Sequence, residues 1–161
     1  HQPYWNEGSA TPEEAFNIEN VTVSKALFGN LEADKVDYFR LEAADNFKLD
    51  SSLFVGSGCN VSFNPQLYLL SPNTETNEVT FALPDGYGTT LAEGDWKPYS
   101  GHGLTGREGP SIRETLSAGT YYLVVQSNEE GGFYLLSLGG SENFGAGSGG
   151  REAIPRFNAC E

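Results

Sequence analysis

The sequence predicts an all-β protein, built as a single β-sandwich of jelly-roll or immunoglobulin-like type. Short apolar segments alternate with turn residues along most of the chain, and several of them repeat with the period of two that is typical of half-buried strands. The chain has 161 residues, of which 38% are hydrophobic and 12% aromatic, enough to bury one core. We therefore expect one domain with an N-terminal arm and a Gly-rich C-terminal tail.

The N-terminal arm is expected over residues 1–20, where Pro3, Gly8 and Pro12 leave room for at most one helical turn. The sandwich follows over 21–140, with strands at 21–28, 36–43, 47–55, 66–70, 79–83, 112–116, 120–126 and 133–138. In 36–43 alternate residues, Phe39, Leu41 and Ala43, share one face. Residues 92–111 are expected to form a long Gly/Pro/Ser loop.

Residues 141–161 are expected to be a Gly-rich linker and a tail. The stretch 145–150 has the composition of a flexible linker, and the last eleven residues contain Ile154, Phe157 and Cys160. These three residues can dock the tail either on its own domain or on another subunit.

The sequence favours an extracellular or cell-surface location. Cys59 and Cys160 would form a disulfide in an oxidising compartment, within one chain or between two chains. Asn20 and Asn60 begin N-glycosylation sequons. The net charge of −13 opposes binding to nucleic acid or to anionic lipid, and no apolar run is long enough to span a membrane.

Three stretches resemble bacterial pre-peptidase C-terminal-like domains: LFGNLE at 27–32, VDYFRL at 36–41 and LSAGTYYLVV at 116–125. The resemblance covers about residues 20–140. It implies a small β-sandwich that accompanies secreted peptidases and other surface enzymes, and therefore binding, targeting or packing rather than catalysis. His1-Gln2-Pro3, FALPDGYG at 81–88 and WKPY at 96–99 also resemble a group of secreted or membrane-tethered bacterial proteins.

The residue types do not indicate an enzyme. The chain has no G-x-S-x-G motif, neither cysteine lies near a histidine in sequence, and there are two histidines. The 22 acidic residues are more typical of a solvated surface than of the carboxylate pair of a glycosidase.

A copper site is the sharpest metal hypothesis. The α-amine and ring of His1, together with His102, would supply three nitrogen ligands in a histidine brace, with Tyr4, Tyr99 or Glu108 as an axial oxygen ligand. The alternative is that His102 is an exposed loop residue. A second hypothesis places Ca²⁺ between Asp34, Asp37 and Asp45; turn aspartates that accept local N–H groups are its alternative.

The predicted function is a non-catalytic binding or structural module that contacts other copies of itself, a surface protein or a polysaccharide. The arm or tail could add a strand to a neighbour's sheet and build a fibril. Four aromatic residues are the candidate contact surface: Tyr4, Trp5, Trp96 and Tyr99. A secreted copper-binding protein is the alternative function.

Overall fold

The chain folds into two packed β-sheets and one short helix, so the predicted all-β sandwich is confirmed. The structure is a computed structural model that describes residues 2–139 and 150–161. Its strands are β1 (Gln2–Asn6), β2 (Phe16–Ile18), β3 (Lys25–Leu31), β4 (Val36–Ala43), β5 (Phe47–Gly56), β6 (Gln66–Pro72), β7 (Tyr87–Leu91), β8 (Lys97–Gly101), β9 (Leu104–Leu116), β10 (Gly119–Gln126) and β11 (Gly132–Leu138), and its helix is α1 (Gly150–Ala159).

The two sheets have six and five strands, in the orders β1-β3-β11-β5-β9-β8 and β2-β4-β10-β6-β7. Neighbouring strands are antiparallel except at β1–β3 and β2–β4, which pair in parallel. The N-terminal segment therefore adds one edge strand to each sheet, and from Gln2 onward the predicted arm is part of the sandwich.

The main core lies between the sheets and follows the predicted alternation. On β4 the residues Phe39, Leu41 and Ala43 enter this core, and on β10 the residues Tyr121, Leu123 and Val125 do the same. Each fully buried large side chain of this kind stabilises the fold by about 1.5–3 kcal/mol. Because this core takes side chains from strands of both sheets, it holds the two sheets together.

The segment 79–83 is not a strand, and that prediction was wrong. It crosses the outer face of the five-stranded sheet, where the ring of Phe81 lies 6.2 Å from the ring of Tyr38 and 5.0 Å from that of Tyr68, measured between centroids. The apolar residues of this segment therefore cover a sheet face and do not pair with a strand.

The predicted loop at 92–111 was also wrong, because most of it forms the hairpin β8–β9. His102 and Gly103 make the two-residue turn, and both have positive φ, 54° and 81°. Two consecutive positive φ angles define a type I′ turn, whose twist matches that of a hairpin. The first strand of the predicted sandwich also begins later than expected, at Lys25 rather than residue 21.

The C-terminal tail forms helix α1, which packs on the outer face of the six-stranded sheet. Ala153 and Phe157 are buried there. The tail was predicted to dock either on its own domain or on another subunit, and in the structure it docks on its own domain. The predicted linker at 141–149 lies outside the described residues.

Candidate functional site

The four aromatic residues predicted as a contact surface do not form one patch. Tyr4 is half-buried against the main core, with its ring 6.3 Å from that of Phe16. Trp5 lies on the opposite side of the same strand, where the guanidinium of Arg156 lies 4.5 Å from its ring. Neighbouring residues of a strand face opposite ways, so these two side chains cannot bind one ligand together.

Trp96 and Tyr99 lie at the other edge of the six-stranded sheet, at or near β8. Trp96 packs on Gly109, and the guanidinium of Arg107 lies 5.2 Å from its ring. The ring of Tyr99 is 5.0 Å from that of Phe54. Both side chains are half-buried and act as packing anchors.

The copper hypothesis is not tested by the structure, because His1 lies outside the described residues. His102 is exposed at the tip of the β8–β9 hairpin. Of the candidate axial ligands, Tyr99 and Glu108 belong to this hairpin and Tyr4 lies in β1. The brace stays a prediction.

The three aspartates of the calcium hypothesis are not brought together. Asp34 lies in the turn before β4, Asp37 is buried within β4, and Asp45 follows the far end of the same strand. Asp34 and Asp45 therefore lie beyond opposite ends of an eight-residue strand, which is about 26 Å long. Among the described residues, no group of three or more His, Cys, Asp or Glu side chains is placed to hold a metal ion.

Cys59 and Cys160 form a disulfide, as predicted, and of the two pairings that the sequence left open the structure has the one within a single chain. The two sequon asparagines, Asn20 and Asn60, are both exposed in turns. Glycosylation at either position stays a prediction.

A buried polar network joins the N-terminal segment to both sheets. Tyr134 donates a 2.6 Å hydrogen bond from its phenol to Asp37 Oδ2, and the backbone N–H of Ser9 donates to Asp37 Oδ1 at 3.2 Å. Asn6 Nδ2 donates to Ser9 Oγ at 2.8 Å. Burial raises the pKa of Asp37, and the hydrogen bonds from Tyr134 and Ser9 partly oppose this shift. The pKa of Tyr134 is also raised, first by burial and then by the adjacent charge of Asp37. The network is enclosed and anchors the fold.

The surface most suited to a ligand lies on the outer face of the five-stranded sheet. We call it the tyrosine face, and it comprises Arg40, Glu42, Tyr87, Thr120 and Tyr122. These residues come from β4, β7 and β10, and the rings of Tyr87 and Tyr122 pack against the apolar cluster that contains Phe81. Sequence reasoning missed this surface because Tyr87 was assigned to a turn and Tyr122 to an ordinary strand.

Hydrogen bonds and ring contacts hold the tyrosine face in place. The rings of Tyr87 and Tyr122 meet edge to face at 5.5 Å, and the Tyr87 phenol donates to the Thr120 carbonyl at 2.8 Å. Glu42 accepts from Thr120 Oγ1 at 2.7 Å and from Arg40 at 2.9 Å. Burial is the main cause of the raised pKa of Tyr87, so its phenol stays neutral. Both rings are half-exposed.

An open groove of about 400 Å³ borders the tyrosine face on the β2 side. Glu42 belongs to both surfaces, and the remaining lining residues are Asn17, Ile18, Glu19, Asn20, Val21, Thr22, Ala44 and Phe47. With strands about 4.8 Å apart, the path across the outer face from β4 to β7 is about 14 Å long. An elongated ligand could therefore lie across the strands.

The edge of the six-stranded sheet at β8 resists strand addition. In a two-residue type I′ hairpin, the residues that flank the turn, here Gly101 and Leu104, form a hydrogen-bonded pair. Because such pairs alternate along the strand, the backbone N–H and C=O groups of Tyr99 and Lys97 also point towards β9. The backbone groups of Pro98 and Ser100 point outward. The Thr105 carbonyl, opposite Ser100, indeed points away from β8, to the Ser57 N–H. Pro98 has no N–H, so the outward edge lacks a donor there.

The other edges are also short or covered. Segment 74–77 runs along β7, where the Thr89 N–H donates to the Glu75 carbonyl at 3.3 Å and Asn77 Nδ2 donates to the Thr89 carbonyl at 3.2 Å. The edge strand β2 has three residues, and β1 has five, including Pro3. Within the described residues, the sheets offer little backbone to a neighbour.

Similarity to known proteins is found among solved structures. No model of a known protein family and no curated protein matches the sequence. Among solved structures, the chain is similar to the pre-peptidase C-terminal domain of collagenase from Bacillus anthracis, with 21% identity, a TM-score of 0.47, and coverage of 80% of this chain and 97% of that one. The resemblance noted in the sequence is to this same kind of domain. The part of the chain that the structure describes contains no helix with the length and hydropathy of a membrane span.

Proposed function

We propose that this protein is a non-catalytic, extracellular binding module that holds a polysaccharide on its tyrosine face. The observation that carries the proposal is the pairing of two half-exposed rings, Tyr87 and Tyr122, with the fixed polar groups of Arg40, Glu42 and Thr120. Sugar rings stack on aromatic side chains, and their hydroxyls accept and donate hydrogen bonds. Tyrosine supplies such contact area with little loss of side-chain entropy on binding.

The intrachain disulfide supports an extracellular location for this module, because such bonds persist in oxidising compartments. Self-assembly by strand donation is a weaker proposal. The arm that would donate a strand already forms β1 and β2 of its own domain, and Pro98 and segment 74–77 protect two of the receiving edges.

The test measures retention of the native protein on immobilised neutral and acidic polysaccharides by affinity electrophoresis. Tyr122→Ala and Tyr87→Ala are expected to weaken binding at least about tenfold, as residues at the centre of a contact surface do, and Tyr122→Phe is expected to retain most of it. Tyr99→Ala is the matched control on the other sheet. The polysaccharide should keep its length after incubation with the protein. Equal effects of Tyr99→Ala and Tyr122→Ala, or no retention on any polysaccharide, would contradict the proposal.

A further inference from the structure

The outer face of the six-stranded sheet is a seat for helix α1. Phe157 is 1% exposed, and its ring lies 5.9 Å from that of Phe28 in an edge-to-face contact. The other residues of this apolar cluster are Ala26, Leu135 and Ala153, bordered by Trp5, Phe54 and Leu104. Without α1 the sheet would present this cluster to water.

Two glycines and several hydrogen bonds fit the helix backbone closely to the seat. A Cβ atom on Gly56 would overlap the Phe157 carbonyl, and one on Gly58 would overlap the Ala159 carbonyl. The Gly58 N–H donates to the Asn158 carbonyl at 2.7 Å. The Asn158 side chain joins α1 to the β8–β9 hairpin, because its Nδ2 donates to the Gly103 carbonyl and its Oδ1 accepts from the Thr105 N–H, both at 2.9 Å.

None of these contacts requires that the helix and the seat belong to one chain. Two covalent connections tie α1 to its own domain: residues 140–149 and the disulfide from Cys160 to Cys59. Ten residues can span up to about 33–36 Å, which lets α1 reach the seat of an adjacent copy. The disulfide is therefore the connection that fixes α1 to its own seat.

The seat is separate from the main core. The cluster under α1 and the core between the sheets have no member in common, and a ten-residue helix with Pro155 inside it depends on its docking contacts. Loss of α1 from its seat would therefore leave the sandwich folded, as a local opening.

We propose that the outer face of the six-stranded sheet binds α1 and that the disulfide keeps the α1 of the same chain bound there. Reduction of the disulfide then lets the α1 of a second copy bind in its place. A thiolate of a dithiol reductant attacks the half-exposed Cys160 Sγ, and the electron pair of the broken bond stays on Cys59 Sγ. The second thiol of the reductant then displaces Cys160. The reductant becomes a disulfide, and the protein gains two electrons and two protons as two thiols.

The first experiment measures the mass of the Cys59→Ser/Cys160→Ser protein by sedimentation equilibrium over a range of concentrations, at high salt to screen the charge of −13. A reversible dimer is expected, whereas the disulfide-bonded parent stays monomeric. Adding Phe157→Ala should return the variant to a monomer, because the helix loses the side chain that fills the seat.

A second experiment identifies the exchanged contact. Equal amounts of ¹⁵N-labelled and unlabelled parent protein are mixed, reduced with dithiothreitol, concentrated and reoxidised with oxidised glutathione. Mass spectrometry is expected to find Cys59–Cys160 peptides with one labelled and one unlabelled half, and fewer of them when both proteins carry Phe157→Ala. A monomer at every concentration, or mixed peptides that are equally frequent in the Phe157→Ala protein, would overturn the proposal.

Discussion

Asp37 is the residue whose position is least expected from its chemistry. It is 4% exposed in β4, where a carboxylate is costly unless its oxygens accept hydrogen bonds. Tyr134 and the Ser9 N–H supply one bond to each oxygen. These bonds explain why an acidic residue can lie between the two sheets, next to the core residue Phe39.

Replacing Asp37 by Asn is expected to flatten the dependence of stability on pH. The pKa of Asp37 is raised in the folded state, so the folded protein binds this proton more tightly than the unfolded chain does. Its contribution therefore favours folding most at low pH, and it declines as the pH rises from the model-peptide pKa of about 3.9 through the folded-state pKa.

Urea unfolding of the parent and Asp37→Asn proteins between pH 4 and pH 8 measures this difference. Asn offers one acceptor oxygen to two donors, so the variant is expected to be less stable throughout by about 1–3 kcal/mol, but with the deficit smallest near pH 8. Asp45→Asn, in an exposed turn, controls for the loss of one charge. A deficit that is the same at every pH would contradict the assignment.

Among the secondary-structure elements, the β8–β9 hairpin is the one whose edge is most clearly protected. Replacing Pro98 by Thr restores an outward N–H, and replacing Lys97 by Thr removes a charge from the same strand. We expect the double variant to self-associate, as measured by sedimentation velocity, while Lys97→Thr alone stays close to the parent. No change in the double variant would contradict the protective role assigned to Pro98 and Lys97.

Sequence patterns predicted the elements that make one continuous face and missed those that depend on distant contacts. The alternation in β4 was sufficient because Phe39 and Leu41 both enter the main core. The strands β1 and β2 were missed because they are short and pair in parallel with β3 and β4. The turn at His102–Gly103 carried a usable signal, a Gly after a residue that tolerates positive φ, between two polar strands.

Helix α1 was missed for a different reason. Its segment begins with Gly, contains Pro155 and follows a Gly-rich stretch, so local propensity argues against a helix. Docking decides the outcome, because Phe157 is buried and the glycines at 56 and 58 admit the helix backbone. Such complementarity lies in residues about a hundred positions away and leaves no local pattern.

This dependence predicts that Gly56→Ala displaces α1 without unfolding the sandwich. The added methyl group would overlap the Phe157 carbonyl, which is backbone and cannot rotate away. We expect faster hydrogen exchange in residues 152–160 and little change in β4 and β10. Gly139→Ala, whose Cβ would meet Asp50 at 3.4 Å, is the control. Unchanged exchange in the helix would contradict the role assigned to Gly56.

At the scale of the whole molecule, the two outer faces of the sandwich are supported in different ways. Two strands of the tyrosine face, β4 and β10, contribute to the main core, whereas the opposite side is completed by α1 and the disulfide. The sequence identified the disulfide pair and the apolar residues of the tail. It could not identify the tyrosine face, because its members come from three strands that only the sheet order brings together.

The coupling between the disulfide and α1 can be measured as a free energy. The bond joins residues 101 positions apart, and constraint of the unfolded chain is worth up to about 4–5 kcal/mol for such a loop, a large part of the 5–15 kcal/mol typical of a domain. Cys160→Ser is therefore expected to lower the free energy of unfolding by an amount approaching this limit. Phe157→Ala is expected to cost about 3–5 kcal/mol in the disulfide-bonded protein.

The effects of Cys160→Ser and Phe157→Ala on the free energy of unfolding should not be additive. In Cys160→Ser the helix can leave its seat, so a further change of Phe157 to Ala loses contacts that are already partly lost, and we expect its cost to fall well below 3 kcal/mol. Guanidinium unfolding of the parent, both single variants and the double variant provides the cycle. Full additivity would mean that α1 remains seated without the disulfide, and the helix would then be a fixed part of the sandwich rather than an element that the disulfide holds in place.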